Sequence, residues 1–550
     1  MLNLKHKLNE LNPQFLRELK GRLKTRNILL AGSISLLGQF ILFMYFQVQL
    51  PPSLIKLPHA NKYCTGQLKY SLNDCIFDNS NNIIINWQLW YQDVFNLLSL
   101  LGVFAILVGG TYLLINDLAT EERRDTLNFI RLTPQSPQSI LYGKMLGVPI
   151  LLYAVMLLAI PLHLWSGLNA KLSLNQILIF YVILFVSSLF YYSGSLLFAL
   201  IGSWLGSFQS WLGSGFVLVF LLFTEQALRH GTAVSNPIVI LSLISPQYFI
   251  PHALANFELD NFHWFGLPLG ESFALTSGFS LSVYLIGIYF IWQSLQRCYR
   301  DPNATMLSKQ QSYLLTTSFA VITLGCANWN SSDIKDNFAG LIFLNLWLFL
   351  YLIAALTPNR QTLQDWARYR HIYSAKHPGK RKLIKDLVWG EKSPGVLAIA
   401  INALIAISSL GVFVFLASNQ QWDNLNAVGS LIFAFSLVVI YAALAQLLLF
   451  MKNGQSLLWT NGILGAVIIL PPIILGMLFS QPSNQTFLWL FSVTAPLLFV
   501  YPPNHNSLGA MLPFLAILGH ASILGLLLFQ TKRQLQKAGE SATKALLAKN

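Results

Sequence analysis

Charge is scarce in this chain: of 550 residues only 10% are Asp, Glu, Lys or Arg, against about 25% in an ordinary soluble domain. A phosphate-binding loop is absent as well. Gly143-Lys144 is followed by Met145 and Gly379-Lys380 by Arg381, so neither completes the G-x-x-x-x-G-K-[ST] pattern that cradles nucleotide phosphates. No His, Cys or carboxylate cluster has metal-ligand spacing, and no motif announces a Ser-His-Asp arrangement. The chain is therefore not read as an enzyme and has no cofactor of its own; any energy it uses must come from another protein.

Apolar residues fill the place of charge, at 54% of the sequence. Runs such as Val94 to Asn116, Val396 to Ala417 and Ala427 to Met451 approach the ~20 residues that cross ~30 Å of hydrocarbon. The sequence predicts an all-α polytopic membrane protein with about twelve transmembrane helices, near 28–50, 94–116, 146–165, 174–199, 211–227, 272–294, 312–327, 338–357, 396–417, 427–451, 457–479 and 510–530. A shorter apolar stretch, 487–501, ends in Tyr501-Pro502-Pro503 and reads as re-entrant. With the N-terminus inside, the inward segments hold 29 of the 35 Lys and Arg residues, as the positive-inside bias requires. That places the chain in the cell inner membrane, multi-pass, with both termini cytoplasmic, and accounts for a net charge of +14 without nucleic acid.

Inside these spans the one Asp, Glu, Lys or Arg is Glu225. An ion-coupled carrier keeps working carboxylates in its bundle, so that class is disfavoured. His163 and His520 read as packed or interfacial histidines. Cys64 and Cys75 lie in the outer loop 51–93, where an oxidising compartment permits a disulfide, two unpaired thiols being the alternative; Cys298 and Cys326 are isolated.

Three echoes divide the chain into two unequal repeats. "LRELKGRLKTRNILLAGSISLLG" parallels "VWGEKSPGVLAIAINALIAISSLG", "QSILYGKMLGVPILL" parallels "QSLLWTNGILGAVIILPP", and "LSLISPQYFIP" parallels "LFSVTAPLLFVYP". The last pair reads as re-entrant outer segments. The expected organisation is an amphipathic elbow at 1–27, a first repeat of six spans at 28–300, a two-helix insertion at 301–357, a basic cytoplasmic linker at 358–395 and a second, shortened repeat at 396–550.

One charged hairpin, 117–145, interrupts the apolar pattern. Asp117, Glu121 and Glu122 occupy its first turns, where the helix dipole favours negative charge. Leu127 and Ile130 share a face, the prolines of "TPQSP" break the helix, and Ser136 or Ser139 can cap its successor. "EERRDTLNFIRLTPQSPQSILYGKMLG" resembles the cytoplasmic signature of type-2 ABC exporter permeases, in which this hairpin is the coupling helix that docks on the ATPase subunit. The resemblance covers residues ~12–300, the elbow "NPQFLRELKGRLKTR" included, and makes both repeats permease-like. It implies a docking face of Glu121, Glu122, Arg123, Arg124 and Asp125, a buried stripe opened by Thr126 and Leu127, a turn at Thr133-Pro134, and re-entry at Gly143-Lys144. Asp125 departs from the family, which usually has Gly there.

The expected function is that of a permease subunit of an ABC transporter, of exporter type, with ATP supplied through a separate ATPase partner and with a homodimer mate or second permease left open. Because the second repeat lacks a charged coupling helix, one strong ATPase contact per chain is expected, in an asymmetric pseudo-dimer or in one half of a larger assembly. The alternative is a membrane enzyme acting on a lipid-linked substrate through outer-loop residues such as His252, Glu258, Asp260, His263 and Glu271, whose spacing matches no acid-base or metal pattern.

Overall fold

The computed structural model describes residues 12–51, 60–66, 68–69, 72–78, 83–230, 237–251, 262–328, 334–376, 383–416, 424–451, 456–479, 486–502 and 511–547. Among them the fold is all-α apart from a three-stranded antiparallel sheet, β1 (Ala60–Asn61), β2 (Leu68–Lys69) and β3 (Leu72–Asp74), in the order β1-β3-β2. Beside it Cys64 and Cys75 are joined by a disulfide. Ten described helices are long and apolar enough to cross a membrane, the signature of an all-helical polytopic membrane protein. The chain divides into two compact units, the first Met1–Val234, Leu241–Asn261 and Leu269–Ile291, the second Ser235–Ile240, Phe262–Pro268 and Trp292–Asn550.

The first unit opens with α1 (Pro13–Arg22), started by Asn12, whose side chain accepts from the Phe15 amide, with Pro13 at the first helical position, where a missing N–H costs nothing. Helix α2 (Thr25–Val48) follows. Next, α3 (Trp87–Phe104) passes through a π turn (Ala105–Gly109) into α4 (Gly110–Arg123). The carbonyl of Ile106, in the π turn, accepts from the Tyr192 hydroxyl at 2.8 Å. Gly110 makes that approach feasible, since a Cβ there would lie 2.1 Å from the Tyr192 oxygen.

After α5 (Thr126–Arg131) and α6 (Pro137–Gly147) come α7 (Ile150–Asn169) and α8 (Leu174–Ile201). A 3-10 stretch, Gly202–Phe208, holds Gly206 at φ 59° and separates α8 from α9 (Gln209–His230). Two short pieces, α10 (Val239–Leu243) and a 3-10 turn (Pro246–Phe249), precede α11 (Phe273–Arg300). Neither short piece can cross a bilayer. Within the unit, α2 packs on α7, α4 on α8, and the Pro246–Phe249 turn against α8.

The second unit continues through α12 (Lys309–Gly325), α13 (Ile334–Leu356), α14 (Arg360–Lys376), α15 (Leu383–Trp389), α16 (Val396–Leu416), α17 (Asn424–Leu449) and α18 (Ser456–Leu478). It closes with two short helices, α19 (Thr486–Trp489) and α20 (Ala495–Val500), and the long α21 (Met511–Leu547). Here α12 packs on α16, α13 on α17, and α20 against α17. Asn402 on α16 ties to α12 by donating to Ser312 at 3.0 Å and accepting from Thr316 at 2.8 Å. Such bonds average only about 0.6 kcal/mol between membrane helices, where lipid removes the hydrophobic drive, so close packing carries most of the cohesion.

Candidate functional site

The hairpin between α4 and α7 concentrates the first unit's ionic chemistry. Helix α4 ends at Arg123, and Asp125 adopts φ 55°, ψ 10°, the left-handed region that Gly enters freely and that Asp tolerates better than most residues. The chain thereby turns into α5, where Leu127 and Ile130 are buried. Thr126 donates to the Glu121 carbonyl at 3.0 Å and Thr133 to that of Ile130 at 2.7 Å, closing the two ends of the short helix. Pro134 follows in the turn, and Ser136 caps α6 by accepting from the Ser139 amide, with Pro137 at the first position.

The left-handed turn is a position that Gly would occupy without strain. Asp125→Gly is expected to leave stability within about 0.5 kcal/mol of the parent, whereas Asp125→Val should cost about 1–2 kcal/mol through backbone strain. Thermal half-lives of the detergent-solubilised variants measure both.

Lys144, at the expected re-entry, is buried. Its side chain is 0% exposed and its ammonium lies 2.7 Å from Asp117, 2.8 Å from Glu121 and 3.8 Å from Glu18. Arg22 adds contacts to Asp117 at 2.6 Å and Glu18 at 3.2 Å, and Arg17 one to Glu121 at 3.5 Å. Three elements, α1, α4 and α6, are thus joined by one ionic cluster. Glu18, Asp117 and Glu121 have the spacing of a cation site, and the cation among them is the lysine ammonium.

Glycine spacing makes this cluster reachable. A Cβ at Gly143 would stand 2.8 Å from the Phe15 nitrogen, and one at Gly147 would stand 2.6 Å from the Glu18 Cβ. Asn12 also donates to the Ser139 carbonyl at 2.7 Å. Gly143 therefore serves the seating of α1 on α6. Burial lowers the Lys144 pKa, but Asp117 and Glu121 more than reverse this, leaving it above 10.5; the side chain is charged at neutral pH.

Of the residues assigned to docking by resemblance, Gly143, Lys144 and Leu127 are buried, and Glu121 turns toward Lys144. Glu122 and Thr126 are partly covered, while Arg123, Arg124, Asp125, Thr133 and Pro134 are exposed. Beside them the structure exposes two apolar groups that the sequence did not assign to docking: Phe129 and Leu132, 73% and 84% exposed. Their offset from Leu127 and Ile130 was the available signal, because a helix that buries one stripe presents the other.

His163 sits between Ser99 and Tyr181, each at 2.7 Å, and His520 contacts Ser436 at 2.8 Å; both are packed within spanning segments. Of the carboxylates and histidines that the alternative enzyme reading names, His252, Glu258 and Asp260 lie outside the described residues, and His263 and Glu271 are exposed. No protein-family model, curated protein or solved structure matches this chain.

Proposed function

We propose that the chain is the membrane-spanning permease subunit of an ABC transporter, of exporter type, worked by a separate ATPase that docks on the 117–145 hairpin. The observation that carries this reading is the hairpin's construction: an exposed apolar pair, Phe129 and Leu132, flanked by Arg123 and Arg124, on a base clamped by buried Lys144. Exposed apolar anchors with a charged rim are what a protein partner's pocket engages. ATP binds in the partner. Its closure pushes α5, and the Lys144 cluster passes the displacement to α4 and to α1 as one rigid piece. Both termini then face the cytoplasm and the chain lies in the inner membrane.

The packing order within each unit supports twelve spans arranged as two six-helix permease units, in place of a six-span repeat, an insertion and a shortened repeat. In the first, α2 meets α7 and α4 meets α8; in the second, α12 meets α16 and α13 meets α17. In each, two short pieces precede the last long helix. On this reading 301–357 opens the second unit, and 358–395, with α14 and α15, occupies the place that the charged hairpin has in the first. One chain then offers two contacts rather than one.

Gentle solubilisation of the tagged full chain, pull-down and identification of what co-purifies tests the proposal. A soluble subunit bearing a phosphate-binding loop, at two copies per chain, is the expected result. Its reproducible absence overturns the transporter reading; one copy per chain overturns only the two-hairpin part.

A further inference from the structure

A cleft of about 570 Å³ opens in the second unit between α14, α15, the start of α16 and the far end of α21. That volume falls in the range of ligand pockets. Its walls are apolar, with Leu387, Leu397 and Val439 among them, and among the described residues its polar lining includes two cations, Arg370 and Lys532, and no carboxylate. The Arg370 guanidinium lies over the Trp366 ring at 5.5 Å and reaches Asp386 at a long 3.4 Å. Lys532 is exposed and has no ion pair among the described residues.

Position in the fold narrows the occupant. Helix α21 is apolar from Met511 to Phe529 and turns basic at Lys532-Arg533; α16 turns apolar at Val396, just after Lys392. The cleft therefore sits where two spanning helices pass from apolar to charged sequence, the level of lipid headgroups, where basic pockets between helices take acidic lipid. An interfacial Trp at the same level is the usual anchor.

We infer that this cleft seats one anionic phospholipid, its phosphate between Arg370 and Lys532 and an acyl chain along Leu397 and Val439. Helix α14 already packs directly on α21, and the lipid fills the cleft beside that contact and reinforces it. The inference does not depend on the transporter reading.

Native mass spectrometry of the full chain, exchanged into detergent with phosphatidylglycerol or phosphatidylcholine, tests it without any substitution. One phosphatidylglycerol per chain should survive delipidation that strips phosphatidylcholine; equal retention of the two overturns the inference. Arg370→Ala with Lys532→Ala should weaken phosphatidylglycerol retention about thirty-fold, at roughly fivefold per charge. Ala400→Trp, which fills the cleft and leaves both cations, should also abolish it. Unchanged retention in either variant means general surface attraction and overturns the seat. Displacement of the lipid by millimolar inorganic phosphate assigns the site to free phosphate and likewise overturns the lipid.

Discussion

Lys144→Ala is expected to destabilise the protein by about 3–5 kcal/mol, the cost of breaking a buried ion pair from one side. The lysine is 0% exposed, and its partners Asp117 and Glu121 are 18% and 13% exposed, so water cannot replace the ammonium. Arg22 neutralises one face of Asp117, but among the described residues Glu121 retains only the longer contact to Arg17. The neutral replacement Lys144→Met combined with Asp117→Asn and Glu121→Gln should recover most of the loss, because an apolar or neutral set of similar volume often substitutes for a buried ionic one. Half-life at elevated temperature, read as the monodisperse fraction on size exclusion, is the suitable measure, since large membrane proteins unfold irreversibly. The pH dependence has a defined sign. A lysine whose folded pKa lies above its ordinary 10.5 contributes stability that is complete below pH 10.5 and lost as pH rises through the folded value. Parent and Lys144→Ala should therefore differ fully at neutral pH and converge only above 10.5. A full difference persisting well beyond that range would mean that Lys144 acts by packing alone.

The membrane character of the fold is legible because apolar runs of the required length admit few other solutions. The stretch from Val94 to Asn116 lies inside the α3, π turn and α4 assembly, and 396–417 coincides closely with α16. Less legible are features fixed by chain segments distant in sequence. Lys144 looks like a surface charge in its own stretch; its burial depends on Asp117, 27 residues earlier, and on α1, which reaches it only because Gly143 and Gly147 lack side chains. Asp125 looks like a departure from a glycine pattern until its φ of 55° is known. The opening of the second unit was hidden for a different reason. Helix α12 has only 17 residues, and the sequence echoes begin beyond it, so the sequence alone gives no sign that α12 and α13 pack on α16 and α17. At 358–395 the density of basic residues reads as a linker and obscures two helices, α14 and α15.

Phe129→Ala combined with Leu132→Ala is expected to weaken binding of the proposed ATPase partner by about a hundredfold or more, while leaving the chain's own stability within about 0.5 kcal/mol. At 73% and 84% exposure these side chains contribute little to folding, and α5 is held by Leu127, Ile130 and the Thr126 and Thr133 bonds instead. Their removal therefore separates docking from folding in a way that Lys144→Ala does not. Arg123→Ala with Arg124→Ala should act differently again: rim charges steer encounter, so the association rate and its salt dependence should fall while dissociation changes little. The measurements are surface-immobilised binding of the purified partner and its ATPase stimulation, at two ionic strengths. If the Phe129 and Leu132 variant binds and stimulates like the parent, those side chains face lipid and the ATPase contact lies elsewhere. If binding is lost with the thermal half-life intact, the apolar pair is the anchor, and the ionic cluster beneath it is the rigid mount through which a partner's movement reaches the membrane helices.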